Sequence, residues 1–373
     1  MGEVKAEDKV WPGDSDEAYP TVFTKIPTQP KKWKPGQLTQ EQLEQFFNQG
    51  FVIIHDFFDT EKELDPVQKD IENLVDQLAN KLYNAGKIKC LYEEFGFFER
   101  LTKLEEEFPG ANVILHKLGQ LPPAVRKLWA NPRLLNIMEQ LLGTQHIAGN
   151  PVWNLRTKTP NNEATTVPWH QDSGYFDNSS YNIMIPTAWI PLLDAKLENG
   201  CLQMVKNAHR LGKMARHQCC YGGTWYIMLE EEEMQKTLGV DLEKDVETCP
   251  INYGGLILFN NLIPHRSLPN VSSQIRWSLD LRWQRAEDPA GFYGIKHAIE
   301  MRREGEENIE INWESFDAID RHQASAEHLK KDYDEFDVTI QGPWMDKWEI
   351  VHMNQHTDAH TKAGSTPTAS WHS

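Results

Sequence analysis

Hydrophobic positions along the chain fall into two regimes. Up to Leu142 they recur at helical spacing, and from about residue 147 they gather into short runs separated by turn residues. Thr39-Gln40-Glu41-Gln42 is a capping box, Leu43, Phe46 and Phe47 follow on one helical face, and Gly50 supplies a stop. A helix is therefore predicted over 39–50. Phe51 to Phe58 reads as a strand. A second helix opens at Thr60 and runs to Asn84, and another covers Pro123 to Leu142, with proline at an early position. Beyond residue 147, strands are predicted at 151–158, 165–172, 183–193, 201–206, 246–251, 255–260 and 275–285. Many short strands in one stretch argue for a sandwich or barrel rather than βαβ units.

The fold class expected is thus an all-β core with flanking helices. Residues 1–36, with five prolines and no sustained periodicity, read as an N-terminal extension. Residues 37–350 read as one domain with its β core at about 147–285, and 351–373 as a flexible polar tail. No internal repeat is present.

Composition is that of an ordinary globular protein: 373 residues, 39% hydrophobic and 25% charged. Basic residues number 38 and acidic residues 55, a net charge of −17, which repels phosphate backbones and anionic headgroups. Nucleic-acid and membrane-surface partners are not expected, and a small-molecule substrate is. The longest near-apolar run, Ile183 to Leu193, is broken by Pro186 and Pro191 and falls short of the roughly 20 residues of a membrane span. The N-terminus lacks the apolar stretch of a secretory signal, and the ending Trp371-His372-Ser373 is not a peroxisomal address. The five cysteines, an odd number without C-x-x-C, fit neither a disulfide framework nor a zinc ribbon, so a reducing, cytoplasmic setting is expected.

The candidate chemistry begins at Trp169-His170-Gln171-Asp172. In a strand, residues two apart share a face, so His170 and Asp172 can present a nitrogen and a carboxylate oxygen side by side. One further histidine would complete a 2-His-1-carboxylate triad, which binds iron(II) on one face and leaves positions open. His265, after the apolar strand Gly255–Asn260, is the candidate. By itself H-x-D is a common pair. Eleven residues after His265 comes Arg276, with Ser278 on the same strand face; an arginine fork beside a hydroxyl suits a carboxylate. The alternative for Arg276 is a structural ion pair.

His170-Gln-Asp172, His265 and Arg276-x-Ser278, in this order, resemble the phytanoyl-CoA dioxygenase family of iron(II)/2-oxoglutarate oxygenases. The stretch His170–Phe176, the strand Thr187–Asp194, the turn Glu198–Leu202 and the start Leu38–Phe58 agree, so the resemblance spans roughly 38–285. It implies a double-stranded β-helix (a cupin-like jelly roll), with iron(II) on His170, Asp172 and His265. It also implies 2-oxoglutarate held by Arg276 and Ser278, with Trp189 lining the cofactor pocket unless it is plain core; Asn154 and Lys158, on the strand before the metal motif, are further candidates for that pocket. The implied activity consumes O₂ and 2-oxoglutarate, hydroxylates a small organic metabolite, and releases succinate and CO₂. Desaturation or oxidative cyclisation with the same cofactors is the alternative, as is a jelly roll that binds a ligand without turnover. The sequence departs from the family at Lys206-Asn-Ala, where a P-G-S turn usually precedes the histidine that is His209 here.

Two other clusters stand out. His352, His356 and His360 recur every four residues, a zinc-compatible spacing, but in a polar tail that reads as flexible. Asn199 to Leu229 contains no acid but carries Lys206, Arg210, Lys213 and Arg216, which reads as a surface loop or as an attractor of an anionic substrate.

Overall fold

A computed structural model of the chain describes residues 11–117, 121–330, 332 and 334–362. Its strands are β1 (Phe51–Ile54), β2 (Ile147–Gly149), β3 (Asn154–Lys158), β4 (Thr187–Pro191), β5 (Leu202–Val205), β6 (Gln218–Cys219), β7 (Ile227–Met228), β8 (Val246–Cys249), β9 (Leu256–Phe259), β10 (His265–Ser267), β11 (Arg276–Arg285), β12 (Ile299–Arg302) and β13 (Glu349–Ile350). The major sheet runs β1-β9-β4-β11-β2-β12, with β3 also paired to β11; β10-β5-β8 form a minor sheet, and β13-β6-β7 a small third one. All pairings in the major and minor sheets are antiparallel.

Alternation along the strands shows how the two larger sheets meet. Phe51, Trp189, Ile257 and Phe259 of the major sheet pack with Leu202, Met204 and Cys249 of the minor sheet in one core cluster. The intervening residues Val52, Ala188, Ile190 and Leu258 pack with the helices instead. This is the two-sheet jelly roll with helices outside, as expected. β11 lies at its centre and is unusual. Its odd positions Trp277, Leu279, Leu281 and Trp283 are fully buried on the helix side, whereas its even positions Arg276, Ser278, Asp280 and Arg282 are buried and polar.

The helices follow their local signals. The helix Gln40–Gln49 is capped by Thr39 with the reciprocal Gln42 bond, and it ends at Gly50 in the left-handed conformation (φ 95°). No other residue fits there: a Cβ on Gly50 would lie 2.1 Å from Ile263 Cδ1. The helix expected over 60–84 begins as a wide π-type turn, Thr60–Leu64, and continues as Asp65–Asn84. The single helix expected over 123–142 is two, Pro123–Trp129 and Pro132–Leu142, because Pro132 starts a new helix after the Asn131 cap rather than continuing the first.

Three further expectations are corrected. Residues 165–172 form no strand: Pro168 interrupts the run, His170 alone makes a bridge, and Asp172 opens the short 3₁₀ turn Asp172–Tyr175. The described part of the N-terminal extension is packed on the body, with Phe23 fully buried and the Tyr19 amide donating to Gly212 O at 2.9 Å. The expected flexible tail is ordered to Lys362, with Gln355–Lys362 helical and His356, Thr357 and His360 buried. Its histidines serve structure and not metal: His356 Nδ1 accepts from the Ile340 amide (2.9 Å), His360 Nε2 meets Asp346 Oδ1 (2.8 Å), and His352 Nδ1 meets Cys220 O (3.1 Å). The tail beyond Lys362 lies outside the described residues. Cys219 and Cys220 are joined as neighbours, a bridge that closes no loop and so staples nothing.

Buried histidines make the fold pH-sensitive. Burial pushes His209 down to about 4, His217 to about 3 and His356 to about 4. In the unfolded chain each titrates near ~6.5. Below that pH the unfolded state binds protons that the folded state refuses, so stability falls as pH drops from ~6.5 towards ~4, by up to ~1.4 kcal/mol per pH unit for each histidine. Urea unfolding of the metal-free protein should show a midpoint clearly lower at pH 5 than at pH 7; equal midpoints would contradict this.

Candidate metal centre and its two cavities

The H-x-D segment is held at the mouth of the minor sheet. His170 and His265 pair backbone to backbone, with His170 N to His265 O at 3.1 Å and His265 N to His170 O at 2.9 Å. That pairing places the rings 4.1 Å apart between centroids. Each Nδ1 is committed to a backbone carbonyl two residues upstream, His170 to Pro168 O (2.9 Å) and His265 to Ile263 O (3.0 Å). Nδ1 must therefore carry the proton, leaving both Nε2 lone pairs free to accept. Gln171 anchors the segment between them: its side chain donates to Lys213 O and Leu262 O, and accepts from the Ala215 amide.

Asp172 completes the group. Its Oδ2 accepts from Arg282 Nε (3.0 Å), Arg282 Nη2 (2.8 Å) and Thr187 Oγ1 (3.1 Å). Its Oδ1 is left facing His170 Nε2 at 3.6 Å and His265 Nε2 at 3.8 Å. One ligand atom from each of the three buried residues lies within 4.8 Å of the others, and this is the one such metal-capable group among the described residues. Burial alone would raise the Asp172 carboxyl, but the Arg282 guanidinium holds it well below the usual carboxylate range. Burial pushes His265 down to about 3. An ionised carboxylate and two lone-pair nitrogens on one side of a small space are the donor set of a facial triad.

The space around the triad forms two cavities. One is lined by Lys158, His170, Trp189, His265 and Arg276; the other by Asn154, Asp172, Tyr175, Arg282 and Arg321. His116, Arg156, Trp225 and Tyr226 form the wall common to both. In the first cavity Arg276 stacks over Trp189 (5.2 Å to the ring centroid) and donates from Nη1 to Ser278 Oγ at 2.5 Å. Its Nε is buried without a partner. Burial lowers Arg276 only to about 10, so it stays charged. Lys158 lies directly across the strand pair from Arg276 and donates to Thr166 Oγ1 at 3.1 Å. Burial first, then Arg276 and Arg156, push it down to about 6. A buried guanidinium with an orphaned N–H, beside a lysine that an arriving anion would recharge, suits a dianion.

Of the predicted site residues, His170, Asp172 and His265 come together, Arg276, Trp189 and Lys158 line the adjoining cavity, and Ser278 lies behind Arg276 as the acceptor of its Nη1. Asn154 stands apart, across from Asp280 in register and facing the second cavity. The basic stretch at 206–216 lies elsewhere and is mostly paired, Lys206 with Glu247 (3.3 Å) and Arg216 with Glu349 (2.8 Å). The sequence reading missed Arg282, Thr187, Arg156 and Arg321. Arg282 carried a signal: continuing the alternation from Arg276 and Ser278 puts Asp280 and Arg282 on the same face. Arg321 had none, since only the packed C-terminal segment brings it to the cavity.

The family model described as Phytanoyl-CoA dioxygenase (PhyH) matches residues 46–278. The chain is 24% identical over 292 residues to a phytanoyl-CoA dioxygenase of Arabidopsis thaliana, covering 69% of this chain and 98% of the relative. It is 26% identical over 195 residues to the 1-deoxypentalenic acid 11-beta-hydroxylase of Streptomyces arenae, covering 49% of this chain and 64% of that one. Among solved structures, the apo non-heme monooxygenase ThoJ shares the fold, with a TM-score of 0.50, 16% identity, and 77% and 95% of the two chains covered. No helix among the described residues is long and apolar enough to cross a membrane.

The Arg282–Asp172 pair yields a direct test. Without Arg282 the buried carboxyl loses its strongest stabiliser and its pKa rises. Arg282→Gln should weaken iron(II) binding by about 10–100-fold at neutral pH, and more as pH falls. Anaerobic iron(II) titration checks this, with circular dichroism as control for folding.

Proposed function

The chain belongs to the phytanoyl-CoA dioxygenase family of iron(II)- and 2-oxoglutarate-dependent oxygenases, and on that premise we propose that it hydroxylates a small organic molecule, with His170, Asp172 and His265 as its iron ligands. The observation that carries this reading is the free pair of Nε2 atoms facing Asp172 Oδ1, with every other polar atom of the three side chains already committed. When bound, iron(II) with 2-oxoglutarate and O₂ supplies the oxidising chemistry and releases succinate and CO₂.

The residues divide the remaining work. Pro168 O and Ile263 O fix the tautomer of the two histidines, and Arg282 with Thr187 turns one Asp172 oxygen away so that the other is presented. Arg276 and Ser278 take the far carboxylate of 2-oxoglutarate, with Trp189 as the floor beneath the guanidinium. Lys158, pushed towards neutrality in the absence of an anion, adds a second positive contact once a carboxylate is beside it. Phe259 and Leu202 close the wall and keep the space dry.

Two tests follow from these roles. His170→Ala should abolish 2-oxoglutarate-dependent succinate formation while leaving the fold near intact; undiminished iron-dependent turnover would refute the ligand assignment. Truncating one partner of a desolvated charge pair costs roughly 2–5 kcal/mol. Arg276→Ala should therefore raise the Michaelis constant for 2-oxoglutarate by a factor of about 30 to several thousand. Arg276→Lys, which keeps the charge and loses the fork, should recover part of this, with iron(II) affinity unchanged in both. A Michaelis constant unmoved in Arg276→Ala means that Arg276 is structural.

A further inference from the structure

Charge accounting separates the two cavities. In the first, Arg276 faces the space as a cation that 2-oxoglutarate can neutralise, with Lys158 beside it. In the second, Arg282 is spent on Asp172, and Arg156 on Asp280 at 2.8 Å. Arg321 remains. It is 7% exposed, lines the second cavity, and has no carboxylate within ion-pair distance among the described residues. Asp320, its neighbour in the chain, acts on it only through space and makes no ion pair with it: Oδ1 caps the helix Arg321–His328 by accepting from the His322 amide (2.8 Å) and the Gln323 amide (3.2 Å). The guanidinium rests over Trp153 (4.8 Å) and donates from Nη1 to Trp153 O. These contacts orient it without neutralising it. The two histidines nearby, His116 and His322, are held well below their usual range by burial first, so they add no charge.

A second unmet polar group faces the same space. Gln341 donates from Nε2 to Thr339 Oγ1 at 3.0 Å, but its Oε1 is buried with no partner. The rest of the wall is largely aromatic, with Tyr175, Trp225, Tyr226, Phe292 and Trp344. A buried cation and a buried acceptor, both unmatched on the wall of an aromatic cavity, are the complement of a ligand rather than of the protein.

We propose that this second cavity binds a small organic acid as the substrate, its carboxylate on Arg321, a hydrogen-bond donor on Gln341, and its apolar body against Trp225, Tyr226 and Trp344. This rests on the oxygenase reading above and names the substrate class. Arg321, Gln341 and Trp344 all lie beyond residue 278, where the family match ends. The groups that would meet the acid's polar ends thus come from the C-terminal segment, and Trp225 and Tyr226 from the matched region.

The test is calorimetric binding without O₂ to the iron(II)- and 2-oxoglutarate-loaded protein. The probes are phenylacetate, 4-hydroxyphenylacetate and 3-phenylpropionate, each against its amide. The acids should bind at least about 30-fold more tightly than the amides. Arg321→Gln should remove that preference, and Arg321→Lys should restore part of it. Ser325→Asp leaves Arg321 in place but supplies a carboxylate one helical turn along, on the same cavity wall, and should weaken acid binding to a similar extent. Equal binding of acids and amides, no binding of either, or a preference that survives Arg321→Gln overturns the proposal. Loss of 2-oxoglutarate affinity in Arg321→Gln also overturns it, by moving Arg321 to the cosubstrate. Failure of the unmodified protein to bind 2-oxoglutarate would instead overturn the oxygenase reading, since the acid preference is read equally well without it.

Discussion

The structure turns on the bond between Arg282 and Asp172. Both side chains are nearly inaccessible to water, and a lone charge in that position would cost several kcal/mol. Together they are tolerable because the guanidinium meets one oxygen twice and Thr187 meets it a third time. The other oxygen is then free, and it faces the two histidines. A pair that contributes little to stability for its own sake thus determines which oxygen of Asp172 is available, and it keeps that carboxylate ionised in a dry site.

The same strand spreads the constraint further. β11 is covered on both sides, so neither of its faces can be polar at low cost unless the polar groups find partners or ligands. The odd face meets the helices through tryptophan and leucine. The even face carries two arginines, an aspartate and a serine into the space between the sheets. Asp280 and Asp172 satisfy Arg156 and Arg282; Arg276 keeps an N–H without a partner. Imbalance of this kind is destabilising for a scaffold and leaves a place for an anionic ligand to supply the missing partner.

Legibility in the sequence followed the range of the interactions. The capping box at Thr39, the stop at Gly50 and most core strands were readable because neighbouring residues decide them. The metal motif was readable for a different reason. His170 and Asp172 were expected together on a strand face; a 3₁₀ turn brings them together instead, so the juxtaposition held while its stated cause did not. The packed N-terminal extension and C-terminal helix were not readable. Their polar, weakly periodic sequences are ordered by contacts with the body, such as Lys347 donating to Ser173 O (3.1 Å) and Phe176 O (2.6 Å). Those bonds join residues some 170 positions apart, and no local pattern records them.

That long-range clamp has a functional consequence. Lys347 and Trp348, the latter donating from Nε1 to Gly174 O at 2.8 Å, grip the turn that begins with Asp172. The segment that contributes Arg321, Gln341 and Trp344 to the second cavity therefore also holds the loop bearing the carboxylate ligand. The turn at Asp172 and part of the wall of the second cavity are thus held by one packed segment beyond residue 278. The minor sheet and the turn at Asp172 bring the three donor residues together, and the C-terminal segment both walls the second cavity and grips that turn.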